Sequence, residues 1–241
     1  MTAYTSIITG GNKGIGADLV KRLLEKDHHV ISVARHPPDY THPHLSSVEV
    51  DLLDAEAVSQ AAASIASQHQ VTHLIHNAGV IWPNLIEDAT PGDITGLAQL
   101  HLGSALSLLQ AVLPNMKEQQ FGRVLFNASR AALGAPTRTA YSASKAGMIG
   151  MARTWALELA PFGITVNVVA PGPVLTDNFW GIVPKGSEQE TDLAARMPVR
   201  RLGTVDDVSN AFLFFVDPAS GFITGQTLYV CGGASIGGVS I

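Results

Sequence analysis

Short apolar runs alternate along the chain with longer segments whose apolar positions repeat at helical spacing. The apolar runs predict strands at residues 6–9, 29–34, 47–50, 73–76, 123–127, 164–169 and 227–230. The helical segments lie at residues 17–26, 55–68, 91–116, 141–160 and 205–215. This alternation forms βαβ units, and nearly continuous apolar strands are typical of a sheet covered on both faces. The pattern therefore predicts a mostly parallel, doubly wound α/β sheet with its ligand outside the carboxyl ends of the strands.

Composition limits this pattern to a soluble globular protein. The 241 residues are 46% hydrophobic and 15% charged, which excludes a disordered chain. Because no linker or internal repeat divides the sequence, residues 1–241 are expected to form a single domain. A net charge of −5 argues against nucleic acid or an anionic membrane as the main partner. The single cysteine, Cys231, fits a reducing compartment, and without a signal-like segment the expected location is the cytoplasm.

The first strand-to-helix junction is a glycine-rich turn, Thr9-Gly10-Gly11-Asn12-Lys13-Gly14-Ile15-Gly16. Glycines at such a junction let the backbone turn tightly and approach a pyrophosphate, whose charge the helix N-terminus favours. The spacing is GxxxGxG and not GxGxxG, so a turn without a ligand is the alternative. Its place at the first junction of an α/β chain favours a dinucleotide.

The end of the second strand indicates which dinucleotide binds. NAD sites place an acidic residue there for the ribose 2′-hydroxyl. Here the strand ends Val33-Ala34-Arg35. An arginine can bind a 2′-phosphate through charge-assisted hydrogen bonds, and Lys13 could reach the same phosphate. Unless both are ordinary solvated charges, two cations and no carboxylate predict NADP(H).

A tyrosine and a lysine four residues apart, Tyr141 and Lys145, share one face of a predicted helix. The pKa of a free tyrosine is about 10, too high for efficient proton transfer at neutral pH. A nearby ammonium group favours the phenolate and lowers that pKa. Ser129, after the fifth strand, could donate a hydrogen bond to a substrate oxygen.

In their order, these motifs make the chain resemble the short-chain dehydrogenase/reductase superfamily over essentially its whole length. The resemblance rests on Thr9-Gly10-x-x-x-Gly14-x-Gly16, Asp51-Leu52, Asn77-Ala78-Gly79, Ser129, Tyr141-x-x-x-Lys145, Asn167, Pro171-Gly172 and Gly232-Gly233. It implies a single Rossmann-type domain with a seven-stranded parallel sheet flanked by helices. It also implies a homotetramer or homodimer that transfers a hydride between NADP(H) and a small-molecule carbonyl or secondary alcohol.

The resemblance implies a role for each matching residue. Tyr141 would be the general acid/base, Lys145 would bind the nicotinamide ribose and lower the pKa of Tyr141, and Ser129 would polarise the substrate carbonyl. The expected cofactor-binding residues are Thr9, Gly10, Asn12, Lys13, Gly14, Ile15, Gly16, Ala34, Arg35, Asp51, Leu52, Asn77, Ala78, Gly79, Tyr141, Lys145, Pro171, Gly172, Val174 and Thr176. No metal site is expected. Residues 176–198 would form a substrate lid, with an apolar wall of Phe179, Trp180, Ile182 and Val183.

The sequence departs from the family pattern at His101, where the family usually has an asparagine that supports a water-linked relay from the catalytic lysine. Histidine can donate and accept hydrogen bonds, so it could serve the relay with its own titration near neutrality. A histidine packed for structure, with a weaker relay, is the alternative. His76 and Cys231 also replace usual residues, and the gap between Ser129 and Tyr141 is one residue shorter than in many members.

Three other functions stay open beside a carbonyl reductase or alcohol dehydrogenase. An NAD-linked enzyme is disfavoured by Arg35. A 3-oxoacyl-[acyl-carrier-protein] reductase would want a basic rim for its acidic partner, and the net charge argues weakly against it. A non-catalytic NADP(H)-binding regulator would not need Ser129, Tyr141 and Lys145 together.

Overall fold

A computed structural model of the chain describes residues 4–236. Seven strands form one sheet in that part of the chain, and every neighbouring pair is parallel. They are β1 (Thr5–Thr9), β2 (His29–Ala34), β3 (Leu45–Glu49), β4 (His73–His76), β5 (Gly122–Asn127), β6 (Ile164–Pro171) and β7 (Thr227–Val230). Their spatial order is β3-β2-β1-β4-β5-β6-β7. The predicted doubly wound, seven-stranded parallel sheet is confirmed.

Helices cover both faces of this sheet. They are α1 (Gly14–Leu24), α2 (Ala55–Gln68), α3 (Pro91–Ala98), α4 (Ser104–Glu118), α5 (Thr139–Leu159), α6 (Asp177–Trp180), α7 (Glu188–Arg196) and α8 (Val205–Val216). Side chains of α2, α4 and α5 pack on one face and those of α1 and α8 on the other. Successive strand residues point to opposite faces, so Ile7 joins the first layer and Ile8 the second. Phe126 and Phe212 are the largest fully buried side chains of the two layers, and truncating either to alanine costs about 3–5 kcal/mol.

The strand order reverses beside β1, which pairs with β2 on one side and with β4 on the other. A crevice opens at such a reversal because the connections leave in opposite directions. The glycine-rich turn after β1 therefore lies next to Asn77 and Ala78, which follow β4. The topology alone brings two of the sequence motifs together.

The main difference between the predicted and the observed elements lies at residues 91–116, which the sequence predicts as one helix. This stretch is helical throughout, but a π-helical turn at Gln99–Gly103 separates α3 from α4. A capping box of Thr90 and Asp93 starts α3. π-Helical turns insert one residue and occur often at functional sites, and this one carries His101. The prediction also placed β3 two residues too late and did not contain α6 and α7.

The stretch from Pro91 to Glu118 is also long and apolar enough, by length and composition, to cross a membrane. Among the described residues no other helix meets that test. Its residues Leu108, Val112 and Met116 are fully or almost fully buried in the layer over the sheet. We therefore interpret it as a core helix of the domain.

Candidate active site

Two adjoining cavities lie at the carboxyl edge of the sheet. The first, here called the turn cavity, has a volume of about 340 Å³ and is bounded by the glycine-rich turn and the ends of β2 and β3. The second, the tyrosine cavity, has about 260 Å³ and contains Tyr141. Asn77, Gly79 and Thr176 line both, so a bound molecule could extend from one into the other.

Most residues expected to bind the cofactor line the turn cavity. These are Gly10, Asn12, Lys13, Gly14, Ile15, Ala34, Arg35, Asp51, Leu52, Asn77, Ala78, Gly79 and Thr176. Pro171, Gly172 and Val174 line the tyrosine cavity with Tyr141 and Lys145. Thr9 and Gly16 line neither, since Thr9 is buried beneath the turn and Gly16 packs against its backbone.

The backbone of the turn has the close approach that a pyrophosphate requires. Gly10 and Gly14 have positive φ values of 66° and 52°. A Cβ on Gly16 would lie only 2.1 Å from the carbonyl oxygen of Gly10, so no larger residue fits there. The first residue before α1, Lys13, provides no side-chain cap, which leaves the N-terminus of this helix open to an anion.

The part of the turn cavity at the end of β2 carries cations where an NAD site has an acid. Arg35 and Lys13 are both exposed at its lining. The carboxylate of Asp51 accepts a hydrogen bond of 3.0 Å from the backbone N–H of Leu53, within its own turn. The chain's own residues thus fit a dinucleotide that carries an additional phosphate at the ribose.

A buried histidine, His76, fixes the strand ends beneath the turn. The Thr9 hydroxyl oxygen accepts hydrogen bonds from the backbone N–H groups of Asn77 (3.0 Å) and Ala78 (2.9 Å). Its proton is therefore directed to His76 Nδ1 at 3.1 Å, and His76 Nε2–H donates to the Leu100 carbonyl at 3.2 Å. Burial, with the Lys145 charge second, lowers the pKa of His76 to about 3. His76 is thus neutral at pH 7 and joins β1, β4 and the π-helical turn.

A second series of hydrogen bonds runs from the turn to Lys145. Asn77 Nδ2 donates to the Thr9 carbonyl (3.0 Å), and Asn127 Nδ2 donates to Asn77 Oδ1 (2.8 Å). Lys145 Nζ donates to the Asn127 carbonyl at 2.6 Å. The sequence interpretation missed Asn127 as a site residue, although its place at the carboxyl end of β5 was a usable signal. Burial lowers the pKa of Lys145 to about 7.

Tyr141 stands in the first turn of α5, with Lys145 Nζ at 5.5 Å from its ring centre. Burial raises the pKa of Tyr141, while a hydrogen bond from Ser129 and the charge of Arg138 oppose that rise. Lys145 was expected to lower this pKa. In the structure the charge that opposes the rise is that of Arg138.

Ser129 faces the same cavity from the other side, after β5. Its hydroxyl oxygen also accepts a hydrogen bond of 3.1 Å from the backbone N–H of Ala131, which starts a 3₁₀ turn at Arg130–Leu133. The shorter gap between Ser129 and Tyr141 therefore does not prevent the two side chains from meeting.

His101 is fully buried behind Tyr141 and Lys145. Ser144 Oγ donates to the Tyr141 carbonyl (3.0 Å), so it accepts from His101 Nδ1–H at 2.8 Å. His101 Nε2 has no hydrogen-bond partner among residues 4–236. Burial, and next the Lys145 charge, hold the pKa of His101 well below its ordinary value. This direction favours the alternative of a structurally packed histidine over one that titrates near neutrality.

The expected lid at residues 176–198 contains α6, α7 and the loop between them. Phe179 and Ile182 line the tyrosine cavity, whereas Val183 is buried beneath. Trp180 stacks edge-on against Phe179, with 5.0 Å between ring centres, and supports this wall from outside. The segment thus supplies the apolar wall that the sequence predicted, through two of the four named residues.

Two arginines, Arg130 and Arg138, also line the tyrosine cavity. Sequence interpretation missed both, although each stands close to an expected catalytic residue. No group of histidine, cysteine and carboxylate side chains that could hold a metal is present between residues 4 and 236.

Comparisons with known proteins place this chain in a family. A family model described as enoyl-(acyl carrier protein) reductase matches residues 10–235. The (2S)-[(R)-hydroxy(phenyl)methyl]succinyl-CoA dehydrogenase subunit BbsD of Thauera aromatica is 42% identical over 68% of this chain and 64% of its own length. The 3-oxoacyl-[acyl-carrier-protein] reductase FabG of Haemophilus influenzae is 30% identical over 97% of this chain and 98% of its own. The solved structure of ElxO with NADP bound superposes with a TM-score of 0.88 at 26% identity, covering 96% of this chain and 98% of ElxO.

The chain belongs to the short-chain dehydrogenase/reductase superfamily. It is an oxidoreductase of that superfamily, as its motifs predicted.

Proposed function

We propose that this protein uses NADP(H) to interconvert a small carbonyl compound and its secondary alcohol, with Tyr141 as the proton donor and acceptor. The observation that carries the proposal is the meeting of Ser129, Tyr141 and Lys145 in one cavity that continues into the glycine-rich turn. Arg35 and Lys13 support NADP(H) over NAD(H), because both are available for a 2′-phosphate and no acid ends β2.

When bound, the nicotinamide supplies a hydride to the carbonyl carbon in reduction and takes it back in oxidation. The raised pKa of Tyr141 keeps its hydroxyl protonated near neutral pH, so it can give a proton to the carbonyl oxygen. Ser129 donates a hydrogen bond to the same oxygen and orients it. One hydride and one proton then convert the C=O group to a CH–OH group.

Lys145 restores the proton of Tyr141. The Asn127 carbonyl accepts one ammonium hydrogen and the Met148 sulfur lies at 3.7 Å from Nζ, which leaves a further hydrogen for ribose hydroxyl groups and for proton return. A lysine pKa of about 7 allows that group to gain and lose a proton at neutral pH. His101, neutral and held by Ser144, directs an unoccupied Nε2 acceptor to this region and positions the relay.

The remaining residues would hold the cofactor along the crevice. Thr9, Gly10, Asn12, Gly14, Ile15 and Gly16 belong to the turn that would hold the pyrophosphate, while Ala34, Asp51, Leu52, Asn77, Ala78 and Gly79 would border the adenosine and ribose. Pro171, Gly172, Val174 and Thr176 would border the nicotinamide. The substrate enters beneath the 176–198 lid.

We also propose that residues 1–241 act as one domain in a cytoplasmic homotetramer or homodimer. Leu106 on α4 and Leu157 on α5 are exposed, with 40% and 82% of their surface accessible. Large apolar side chains exposed on two helices that cover the same face of the sheet suit a subunit interface.

A second candidate is the reduction of a 3-oxoacyl thioester. It is favoured by the 3-oxoacyl-[acyl-carrier-protein] reductases among the relatives, which match almost the whole chain. The chemistry at Tyr141 is the same, and the two candidates differ only in what is attached to the carbonyl.

The test is a panel of ketones, aldehydes and acetoacetyl-CoA with NADPH, followed at the cofactor absorbance. We expect turnover with at least one substrate and its loss in Tyr141→Phe. If no compound turns over while NADPH still binds tightly, the protein is a regulator and the proposal is wrong. Preference for acetoacetyl-CoA would establish the second candidate.

A further inference from the structure

Among residues 4–236, positively charged side chains line the tyrosine cavity and no carboxylate does. Arg130, Arg138 and Lys145 contribute to its wall, and the wall contains no aspartate or glutamate. The two carboxylates that border this region, Asp51 and Asp177, line the turn cavity instead. This local charge is opposite to the net charge of −5 of the whole chain.

Neither arginine forms an ion pair with another residue in the described part of the chain. The ion pairs between residues 4 and 236 involve Arg22 and Arg201, and no carboxylate lies within ion-pair distance of Arg130 or Arg138. Both are half-buried. A guanidinium group that is partly desolvated and unpaired is costly unless an anion joins it, and arginine does not lose its proton to escape that cost.

Arg138 is held rigidly at this position. Thr137, directly before it, has a φ of 62°, an uncommon conformation for a β-branched residue. The Thr137 carbonyl accepts hydrogen bonds from the Asn84 backbone N–H (3.1 Å) and from Arg138 Nη1 (3.3 Å). Such strain persists where the surroundings enforce it, and it is concentrated at ligand-binding sites.

Both arginines line the cavity that also contains Ser129 and Tyr141. Arg130 directly follows Ser129 in the chain, and the charge of Arg138 acts against the rise in the pKa of Tyr141. An anion bound by this pair would lie in the same cavity as the carbonyl under reduction. The wall also contains apolar residues, including Ile81, Ala135 and Phe179, which suit the carbon skeleton.

We propose that the substrate is an oxo acid or the corresponding hydroxy acid, whose carboxylate is bound by Arg130 and Arg138 while its carbonyl faces Ser129 and Tyr141. This rests on the proposed function and names its substrate class. A carboxylate close to the carbonyl fits better than the phosphate of a coenzyme A or carrier arm, since that phosphate lies far from the reacting carbon.

The test compares carboxylic acids with their neutral methyl esters. Phenylglyoxylate and 4-oxopentanoate are each paired with the ester, with NADPH as reductant. The variants are Arg130→Gln, Arg138→Gln and the double variant, and the exposed Arg153→Gln on α5 is the control. For at least one pair, we expect wild-type kcat/KM to be about ten- to a hundredfold higher for the acid, as charge-assisted hydrogen bonds allow. In the double variant, kcat/KM should become similar for the acid and its ester, mainly because the KM for the acid rises. Arg153→Gln should keep the wild-type ratio.

The readout is the ratio of kcat/KM for the acid to kcat/KM for its ester. Arg138→Gln also changes the pKa of Tyr141, but that change slows the reduction of acid and ester alike and leaves the ratio unaffected. Benzoate binding to the NADP-loaded protein, measured by calorimetry, gives a readout without turnover and should disappear in the double variant only. Equal rates for acid and ester in the wild type, with benzoate binding unaffected by the variants, would overturn the carboxylate site while leaving the reductase intact. A rise in KM for acetoacetyl-CoA alone would assign the arginines to a phosphate and also overturn it. Arginine-dependent benzoate binding without any turnover would instead refute the proposed function and keep the anion site.

Discussion

The ammonium group of Lys145 and the backbone carbonyl of Asn127 are joined by a hydrogen bond of 2.6 Å, although 18 residues separate them in the chain. The carbonyl belongs to the last residue of β5, and the lysine to the second turn of α5. The bond anchors this lysine directly to the sheet. It also explains how a fully buried lysine is tolerated, since one of its hydrogens is satisfied by a fixed acceptor.

Because Lys145 is buried, the free energy of unfolding should change with pH in the alkaline range. Its pKa is about 7 when folded, below the ordinary value, so between pH 7 and 10 the unfolded chain binds the extra proton. The free energy of unfolding should therefore rise with pH across that range. Relative to Lys145→Met, the wild type should gain on the order of 2 kcal/mol from pH 7 to pH 9 in urea denaturation. Parallel pH curves for the two proteins would contradict this, and the exposed Lys185→Met is the control.

A buried pair of histidines at the amino ends of the strands should make the free energy of unfolding fall at acid pH. His28 and His73 lie with 5.0 Å between ring centres, and burial lowers their pKa values to about 4 and about 3. Below the unfolded pKa of about 6.5 the unfolded chain binds protons that the folded chain excludes, so stability is lost as pH falls. From pH 6.5 to pH 4 we expect a loss on the order of a few kcal/mol. His73→Gln should flatten the curve, whereas the exposed His42→Gln should not change it.

Substitution of His101 tests whether it titrates during turnover. Because its pKa lies well below the neutral range, His101→Asn should lower kcat by no more than about tenfold and leave the limbs of the pH profile where they are. Ser144→Ala, which removes the hydrogen-bond partner of Nδ1, should have a similar effect. Loss of a limb between pH 6 and 7 in His101→Asn would show that the histidine carries a proton in the cycle.

Arg35 should control the choice between the two cofactors. Replacing it by aspartate removes a phosphate partner and adds a like charge, so the Kd for NADPH should rise about ten- to a hundredfold. The Kd for NADH should change much less, because NADH has no 2′-phosphate. Titrations of both cofactors by fluorescence provide the measurement. Equal changes for the two would place Arg35 outside the phosphate site.

Gly16 should tolerate no side chain. A methyl group there would lie 2.1 Å from the Gly10 carbonyl, so Gly16→Ala must move the turn. We expect NADPH binding to weaken at least about tenfold and stability to fall by about 1–3 kcal/mol. Gly150→Ala on α5 is the matched control, because a Cβ there meets nothing within 4 Å. That change should stabilise the protein by roughly 0.5–1 kcal/mol. Unchanged NADPH binding in Gly16→Ala would show that binding does not require the close approach of the turn backbone to the pyrophosphate.

The fold and the central site residues follow from local signals. Strands such as His29–Ala34 and His73–His76 are apolar runs bounded by turns, so their bounds could be predicted. Tyr141 and Lys145 share a helix face by spacing alone. The Rossmann topology then brings them to the turn, as the motif order indicated.

Other parts depend on contacts between distant segments and leave no local pattern. The π-helical turn at Gln99–Gly103 is stabilised by His76, which donates to Leu100 from β4, and helical periodicity does not reveal it. The pKa of His101 depends on burial that only the packed structure defines. In the sequence, Arg130 and Arg138 cannot be distinguished from ordinary surface charges. Only the folded structure shows that both lie in the wall of the tyrosine cavity.

The hydrogen bonds from Thr9 through Asn77 and Asn127 to Lys145 form one internal framework, and Arg35 lies outside it on the exposed rim. Exchanges at the rim therefore leave the reacting groups in place. A few substitutions at the rim can therefore change which nicotinamide cofactor, and so which cellular pool of reducing equivalents, the enzyme uses. The reacting groups stay the same, so one scaffold can serve biosynthesis or degradation without changes in its interior.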